Sequence, residues 1–271
     1  MKRRITALTL AAATALTLAA CSSGGGDSSG GAGTEPEGLS LDAVQDAGVL
    51  VVGTEGTYRP FTYHEGGSGD LTGFDVEIVT AVAEKLGVDV EFQETQWDAI
   101  FAGLESGRFD VIANQVSIND EREKQYDFSE PYTISPGVLI APADTDIASF
   151  EDLEGRTTAQ SLTSNWYEVA ESFGANVEAV EGWAQAVELL RQGRVDATVN
   201  DELTFLDFEK NEGADDLKIV AETEDASRNA LTFRKGSTDL VEAVNDALAE
   251  LRADGTLAEI SQKYFGADVT Q

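Results

Sequence analysis

Four groups of polar and aromatic residues directly follow predicted strands, and their side chains have the chemistry to bind a charged small molecule. The groups are GTEGTYRPF with Glu55 and Tyr58, NQVSINDER with Gln115, Ser117 and Arg122, QSLTSNW with Thr163 and Ser164, and VNDE with Asp201. The guanidinium and the hydroxyl and amide donors suit a carboxylate. The carboxylates suit an ammonium, and the aromatic faces suit an aliphatic stem. Together these groups complement a zwitterionic α-amino acid.

Each of these residues also has an interpretation that involves no ligand. Arg122 lies in NDEREK, a charged segment that equally fits the start of a solvated helix. Asp201 fits an N-cap for ELTFLDF, and the hydroxyl residues of QSLTSNW fit helix caps as well. Tyr58 and Trp97 fit ordinary core positions. The binding hypothesis therefore depends on all four groups lying at equivalent edges of the fold.

An internal repeat indicates the elements that must position these residues. WDAIFAGLESGRFDVIANQ, from Trp97, aligns without a gap with WAQAVELLRQGRVDATVND, from Trp183, at an offset of 86 residues. Six aligned pairs are identical, namely Trp97/Trp183, Leu104/Leu190, Gly107/Gly193, Arg108/Arg194, Asp110/Asp196 and Asn114/Asn200. In both copies apolar residues recur at helical spacing, a glycine ends the helix and a short apolar strand follows. Each copy is therefore predicted to be a helix–strand unit.

Two similar α/β lobes follow from this repeat. Strands and helices also alternate elsewhere, with VLVVGT before DVEIVTAVAEKLG and RTTAQ before NWYEVAESFG. In open α/β sheets, ligands bind beyond the C-terminal ends of the strands. We therefore expect a cleft lined by Asn114 and Gln115 on one side and by Asn200 and Asp201 on the other.

The first residues indicate export. MKRR precedes an apolar stretch too short for a comfortable membrane span. This stretch ends in LAAC, which resembles the lipobox of bacterial lipoproteins and predicts lipidation at Cys21. We expect residues 1–20 to be a signal peptide for an ordinary export route, with a twin-arginine signal as the alternative, and residues 21–38 to form a flexible Gly/Ser linker. Cys21 is the only cysteine, which excludes intramolecular disulfides.

The composition argues against several functional classes. The formal net charge of −32 should repel nucleic acid and anionic lipid. The one histidine, His64, lies in YHEGGSGD, which is typical of a turn. The sequence contains no catalytic triad order, no metal-ligand cluster and no phosphate-binding glycine motif. We therefore predict no catalytic residues, metal or cofactor.

The body of the chain resembles the polar amino-acid family of solute-binding proteins of ABC importers. VVGTEGTYRPF, LTGFDVEIVTAVAEKLG, VSINDEREKQYDFSEPY, GRVDATVNDELTF and LAELRADGTLAEISQKYFG carry the resemblance, which covers residues 39–266. It implies a two-lobed periplasmic-binding-protein (Venus flytrap) fold of the α/β class. The chain would cross between lobes near residues 134–141 and 227–233. Lobe one would comprise residues 39–135 and 231–271, and lobe two residues 136–230.

The resemblance also implies roles for the residues of the site. Arg122 would hold the ligand α-carboxylate and Asp201 the α-ammonium. Glu55 would be the acidic residue of the first loop, Tyr58 and Trp97 would form an aromatic sandwich, and Thr163 and Ser164 would form the hydroxyl loop of lobe two. Asn119 replaces the family's usual threonine, and Thr163 and Ser164 stand where many relatives have a glycine and a hydroxyl residue.

The implied function is capture of a polar amino acid by a monomeric, lipid-anchored protein that delivers it to a membrane permease. AQSLTSNW, ANQV and NDELTF are most similar to the cystine-type branch of the family. Two alternatives stay open. One is an enzyme of the same fold, such as a periplasmic cyclohexadienyl or arogenate dehydratase, with Glu55 as general base. The other is a ligand-sensing module that reports to a partner protein.

Overall fold

The computed structural model describes residues 38–271. The elements of the first half are α1 (Leu41–Ala47), β1 (Val49–Thr54), β2 (Thr57–Tyr58), β3 (Thr62–His64), β4 (Leu71–Thr72), α2 (Phe74–Leu86), β5 (Asp89–Glu94), α3 (Ile100–Glu105), β6 (Val111–Ser117), α4 (Arg122–Gln125) and β7 (Tyr126–Phe128). The remaining elements are β8 (Thr133–Pro142), β9 (Thr157–Gln160), α5 (Asn165–Ser172), β10 (Asn176–Ala179), α6 (Trp183–Arg191), β11 (Thr198–Asp201), α7 (Glu202–Glu212), β12 (Leu217–Arg234), α8 (Thr238–Ala253) and α9 (Thr256–Phe265). The predicted signal peptide and Cys21 lie outside the described residues.

The repeated helix–strand units have the predicted order, with local differences. In the second copy Trp183 begins α6, whereas in the first copy Trp97 lies in a short 3₁₀ turn that precedes α3. Gly107 and Gly193 both have positive φ, 69° and 66°, just beyond the helix ends, which is the conformation that a helix-ending glycine provides. β6 runs on to Ser117, so Asn114 and Gln115 lie within the strand and not beyond its end.

The long strands β8 and β12 join the two lobes. The main sheet has the order β11-β8-β12-β6-β1-β5, with β7 also paired to β12. β12 begins opposite β8, with Leu217 facing Pro142, and ends opposite β6, with Phe233 facing Val111. The predicted two-lobed fold with two crossings is confirmed. The predicted boundaries, at residues 135/136 and 230/231, fall within these two strands and stay predictions.

Each lobe has its own apolar core. Leu50, Ile78 and Val244 belong to a cluster that packs α2 and α8 against the β1 and β6 side of the sheet. Ile140 and Leu190 belong to a separate cluster around β8 and α6. Within residues 38–271, no helix combines the length and the apolar character needed to cross a membrane.

Gly73 fixes the start of α2. Its φ is +136°, and a Cβ at this position would lie 2.1 Å from the carbonyl oxygen of Phe61. The backbone N–H groups of Phe74 and Asp75 donate to the carbonyls of Pro60 and Phe61, each at 3.0 Å. This close backbone approach sets where the first turn of α2, and with it the Asp75 side chain, meets the rest of the lobe.

We predict that Gly73→Ala destabilises the protein more than Gly87→Ala. Both glycines have positive φ, but a Cβ at Gly87 would meet nothing within 4 Å. Gly87→Ala should therefore cost only the strain of a left-handed residue, about 1 kcal/mol, whereas Gly73→Ala adds a clash with backbone. Urea unfolding of the two variants measures the difference, and equal losses of unfolding free energy would contradict the steric argument.

Candidate functional site

Side chains from both lobes line a cavity of about 500 Å³. Six of the ten predicted ligand-binding residues lie on its wall: Glu55, Tyr58, Trp97, Asn114, Gln115 and Ser164. Asn200, which the repeat predicted to line the cleft, also lies on this wall. The structure places further residues there that the sequence interpretation did not select, among them Glu94, Trp166, Glu181 and Trp183. Among residues 38–271 no group of three or more His, Cys, Asp or Glu side chains is arranged to hold a metal ion.

A buried carboxylate holds Gln115 on the cavity wall. Gln115 has a φ of 51°, a conformation that costs free energy in a residue with a side chain. The Asp75 carboxylate accepts hydrogen bonds from the backbone N–H of Gln115 at 2.8 Å and from Gln115 Nε2 at 2.7 Å. The Tyr132 hydroxyl donates to the same carboxylate at 2.9 Å. Burial nevertheless raises the pKa of Asp75 to about 6. Asp75 therefore offsets the strain at Gln115.

The sequence interpretation missed Asp75, although a signal existed. Asp75 stands at i−4, i−7 and i−11 relative to Val79, Val82 and Leu86, all of which are buried on one face of α2. A carboxylate on the apolar face of a helix needs hydrogen-bond partners, because an isolated buried charge is costly. Its position therefore marked it as part of a polar site.

Arg122 is buried, so the alternative of a solvated helix start is wrong. It begins α4 but is only 8% exposed. Its Nη1 donates to the carbonyl of Ser117 at 3.0 Å and its Nη2 to the carbonyl of Thr163, in the other lobe, at 2.9 Å. Burial lowers its pKa to about 10, so the guanidinium is charged at neutral pH. Its carbon Cζ lies 5.7 Å from the ring centroid of Trp97.

Arg122 and Thr163 line a second, smaller cavity of about 270 Å³, separate from the larger one. Ser117 and Asp201 line neither cavity among the described residues. The two residues expected to hold the α-carboxylate and the α-ammonium, Arg122 and Asp201, thus lie beside the larger cavity and not on its wall.

Asp201 lies within a buried polar network between the crossing strands. It is 2% exposed, caps α7 by accepting from the backbone N–H of Leu203 at 2.9 Å, and accepts from the Ser135 hydroxyl. Its interpretation as an N-cap is confirmed. Burial raises its pKa to about 6. Nearby, Asn229 accepts from Ser117 at 2.9 Å and donates to the Gln115 side chain at 2.8 Å.

Glu55 makes the larger cavity electronegative. Its Oε2 accepts from Asn114 Nδ2 at 2.6 Å. Burial, together with the nearby charges of Asp98 and Glu181, raises its pKa to about 7. Within the described part of the chain, the cavity wall contains no lysine, arginine or histidine.

Direct hydrogen bonds join the two lobes around the cavity. The Tyr58 hydroxyl donates to Asn200 Oδ1 at 2.8 Å and accepts from Thr204 at 3.0 Å. Asp98 accepts from both the backbone N–H and the hydroxyl of Thr163, at 3.1 and 2.9 Å. The lobes are therefore closed on each other in this structure.

Two lobes that close over a polar cavity, joined by two crossing strands, define the class of two-lobed solute-binding proteins. Residues 50–267 match the family described as bacterial extracellular solute-binding proteins, family 3, and the chain belongs to this family. Membership confirms the resemblance seen in the sequence motifs, and members of this family act outside the cell.

Several known proteins are similar to the chain. It is 49% identical over 272 residues to the L-cystine-binding protein TcyA of Bacillus subtilis (strain 168), with all of both chains covered. A crystal structure of the L-cystine solute receptor of Neisseria gonorrhoeae, in the unliganded open conformation, shares 48% identity and a TM-score of 0.56, over 85% of this chain and 98% of that one.

An ancestral arginine-binding protein bound to arginine gives a closer superposition despite lower identity. It shares 38% identity and a TM-score of 0.75, over 81% of this chain and 99% of that one. The lower TM-score with the more similar but open receptor agrees with the direct bonds between lobes described above. Both observations indicate a closed arrangement.

We predict that Glu55→Gln flattens the pH dependence of stability. The folded-state pKa of about 7 exceeds the ordinary value of 4.5, so folding favours the protonated form. The contribution of this proton to the free energy of unfolding is fully present below about pH 4.5 and is lost as the pH rises through 7. The difference between the folded-state and ordinary pKa values limits this contribution to about 3 kcal/mol. Glutamine cannot ionise and keeps an acceptor for Asn114.

Urea unfolding between pH 5 and pH 8 tests this prediction. The wild type should lose more unfolding free energy over this interval than Glu55→Gln, because Asp75 and Asp201 contribute equally to both proteins. Glu84→Gln, at an exposed position of α2, is the matched control and should follow the wild type. Parallel pH profiles for wild type and Glu55→Gln would contradict the assignment.

Proposed function

We propose that the protein captures a polar amino acid, L-cystine first among them, outside the cell and delivers it to an ABC permease. The observation that carries the proposal is a cavity between the closed lobes, with walls from both of them, in a chain that is 49% identical over its whole length to a cystine-binding protein. A ligand that contacts both lobes favours the closed state by the difference between its contacts in the two states.

We assign the ligand's α-carboxylate to Arg122 and Ser117. Arg122 is buried and charged, and within residues 38–271 only two of its five N–H groups are engaged, in the bonds to Ser117 and Thr163. A carboxylate can therefore bind to the remaining N–H groups or replace the Thr163 carbonyl. A bond between the guanidinium and a carboxylate, in which both partners are charged, is stronger than the bond to the uncharged carbonyl that it would replace.

We assign the α-ammonium to Asp201 and the rest of the ligand to the cavity wall. Asp201 is buried beside Ser135, and an ammonium there would lower its raised pKa and stabilise the ionised form. Tyr58 and Trp97 would pack against the aliphatic part of the ligand. Asn114, Gln115, Glu55 and the hydroxyl residues Thr163 and Ser164 would complete the site from both lobes.

We predict that Arg122→Ala weakens L-cystine binding by about a hundredfold or more, because a buried charged partner of the carboxylate is lost. Titration calorimetry measures the affinity, and circular dichroism checks the fold. Arg122→Lys retains the charge without the planar donor pair and should bind with intermediate affinity. Arg194→Ala, which removes only an exposed pair with Glu178, is the control. Near-normal affinity in folded Arg122→Ala would contradict the assignment of the ligand's α-carboxylate to Arg122.

We also propose that the mature protein is a monomer anchored to the outer face of the cytoplasmic membrane through lipid on Cys21. The support is the LAAC sequence before a Gly/Ser-rich segment; two acyl chains suffice for firm anchoring.

We predict that Cys21→Ala moves the protein from the detergent phase to the aqueous phase in phase partitioning and abolishes labelling by radioactive palmitate, whereas Ser22→Ala changes neither. A labelled, membrane-bound Cys21→Ala protein would contradict the anchor.

One observation favours an enzyme of the same fold. The raised pKa of Glu55, about 7, gives the cavity a group that can exchange protons at neutral pH. Turnover of prephenate or arogenate by the purified protein, lost in Glu55→Gln, would support a dehydratase and contradict a role in binding alone.

A further inference from the structure

One ion pair joins the two lobes outside both cavities. Arg59 directly follows β2 in lobe one, and its Nε lies 3.3 Å from Oδ2 of Asp207, which is on α7 in lobe two. Every other ion pair among residues 38–271 joins residues of the same lobe. In the described part of the chain, Arg59 and Asp207 line neither the larger nor the smaller cavity. The pair therefore links the lobes without contributing to the wall of the candidate site.

Each partner of this pair is held in place by its own lobe. The Arg59 guanidinium lies over the ring of Tyr63 in β3, with Cζ 3.9 Å from the ring centroid, which is the stacking that a planar guanidinium favours. In α7, Oδ1 of Asp207 accepts from Nδ2 of Asn211, about one turn further along, at 2.8 Å. A surface ion pair is ordinarily weak because two side chains lose freedom when they meet. Here contacts within each lobe already restrict both side chains, so less freedom is lost when the pair forms.

The pair forms where α7 of lobe two packs against lobe one. Phe205 and Phe208, which flank Asp207 in the sequence, belong to the core of lobe two. Leu203, at the start of the same helix, packs into the apolar cluster of lobe one. The Asp207 side chain is only 11% exposed and that of Arg59 is 39% exposed. A partly buried pair is screened less by salt than a fully exposed one.

The charge of the two lobes makes a cation at their contact valuable. Acidic residues outnumber basic ones in both predicted lobes, residues 39–135 with 231–271 and residues 136–230. Bringing two anionic bodies together costs free energy, and a cation at the contact lowers that cost. Without Arg59, the Asp207 carboxylate would lose its only ion-pair partner in the described part of the chain. Loss of Arg59 should therefore favour separation of the lobes.

We propose that Arg59 and Asp207 form a latch that stabilises the closed arrangement of the lobes and thereby sets how firmly a ligand is retained. They are positioning residues, because they act through closure and not through contact with the cavity. The latch consists of protein groups alone, so it favours the closed form of the free protein as well as that of the complex. The statement about closure is independent of the ligand, and only the statement about retention rests on the proposed function.

Charge reversal at the pair tests the inference on the full chain. Arg59→Asp places two carboxylates opposite each other, and Asp207→Arg places two guanidinium groups there, so each should favour the open form. The double variant Arg59→Asp/Asp207→Arg restores opposite charges and should restore closure. Small-angle X-ray scattering of the free protein measures opening as a rise in the radius of gyration, and titration calorimetry measures the affinity for L-cystine. Circular dichroism checks the fold.

The expected result depends on the balance between open and closed forms in the free wild type. If the closed form dominates, each single reversal should raise the radius of gyration. If the open form dominates, the latch forms only on binding, and each single reversal should weaken L-cystine binding by about fivefold or more. The double variant should recover the affected quantity in either case. Arg156→Asp is the matched control and should change neither, because Arg156 pairs with Asp146 within lobe two and is 37% exposed.

An unchanged radius of gyration together with unchanged affinity in the folded single variants would overturn the inference. A loss that the double variant does not recover would also overturn it, because the effect would then not come from the pair. Failure of the proposed function gives a different result, namely a wild type that does not bind L-cystine. Scattering of the free protein then decides alone: a rise in the radius of gyration that the double variant reverses supports the latch, and an unchanged radius contradicts it.

Discussion

The antiparallel pairing of β8 with β12 is the constraint on which the rest of the structure depends. These strands are paired from Thr133 opposite Asn229 to Pro142 opposite Leu217, and they carry the chain between the lobes. The same strands supply Ser135 to Asp201 and Asn229 to Ser117 and Gln115. The strands that connect the lobes thus also form the base of the candidate site. The register shifts twice along β12, between Ile219 and Ala221 and between Glu222 and Ala226, and such irregularities bend a strand locally without breaking the sheet.

The electrostatics of the site follow from burying several carboxylates together. Burial raises the pKa values of Asp75, Asp201 and Glu55 to about 6, 6 and 7. Arg122 is buried and positively charged, and its hydrogen bonds go to carbonyl oxygens and not to these acids. The site therefore retains both signs of charge without neutralising them against each other. A zwitterion can satisfy both, at a smaller desolvation cost than either charge alone would impose.

The sequence predicted the elements better than it predicted their contacts. The 86-residue repeat and the order of strands and helices indicated two lobes, and the structure has them. Sequence spacing could not show that Arg122 is buried against Thr163, because that contact joins residues of different lobes. Asp75 lies 40 residues from Gln115 in the chain, and only the packing of α2 beneath β6 brings them together. His64, expected in a turn, ends β3 and pairs with Glu94, which is 30 residues away. Glu181 was similarly one acidic residue among 50 until closure of the lobes brought its segment opposite Glu55.

Hydrogen bonds between the protein's own groups hold the two lobes closed, and this limits how far a ligand can shift the population toward the closed form. Tyr58 bonds to Asn200 and Thr204, Asp98 to Thr163, and Arg122 to the Thr163 carbonyl, all between lobes. Each bond between neutral groups contributes only about 0.5–1.5 kcal/mol net, and each bond to a charged group about 1.5–3 kcal/mol, because water competes for the same groups in the open form. These bonds stabilise the closed form without a ligand. A ligand shifts the population only by the contacts that it adds beyond these. A carboxylate that merely replaced the Thr163 carbonyl on Arg122 would add little to closure, whereas ligand groups that contact both lobes at once would add to it directly.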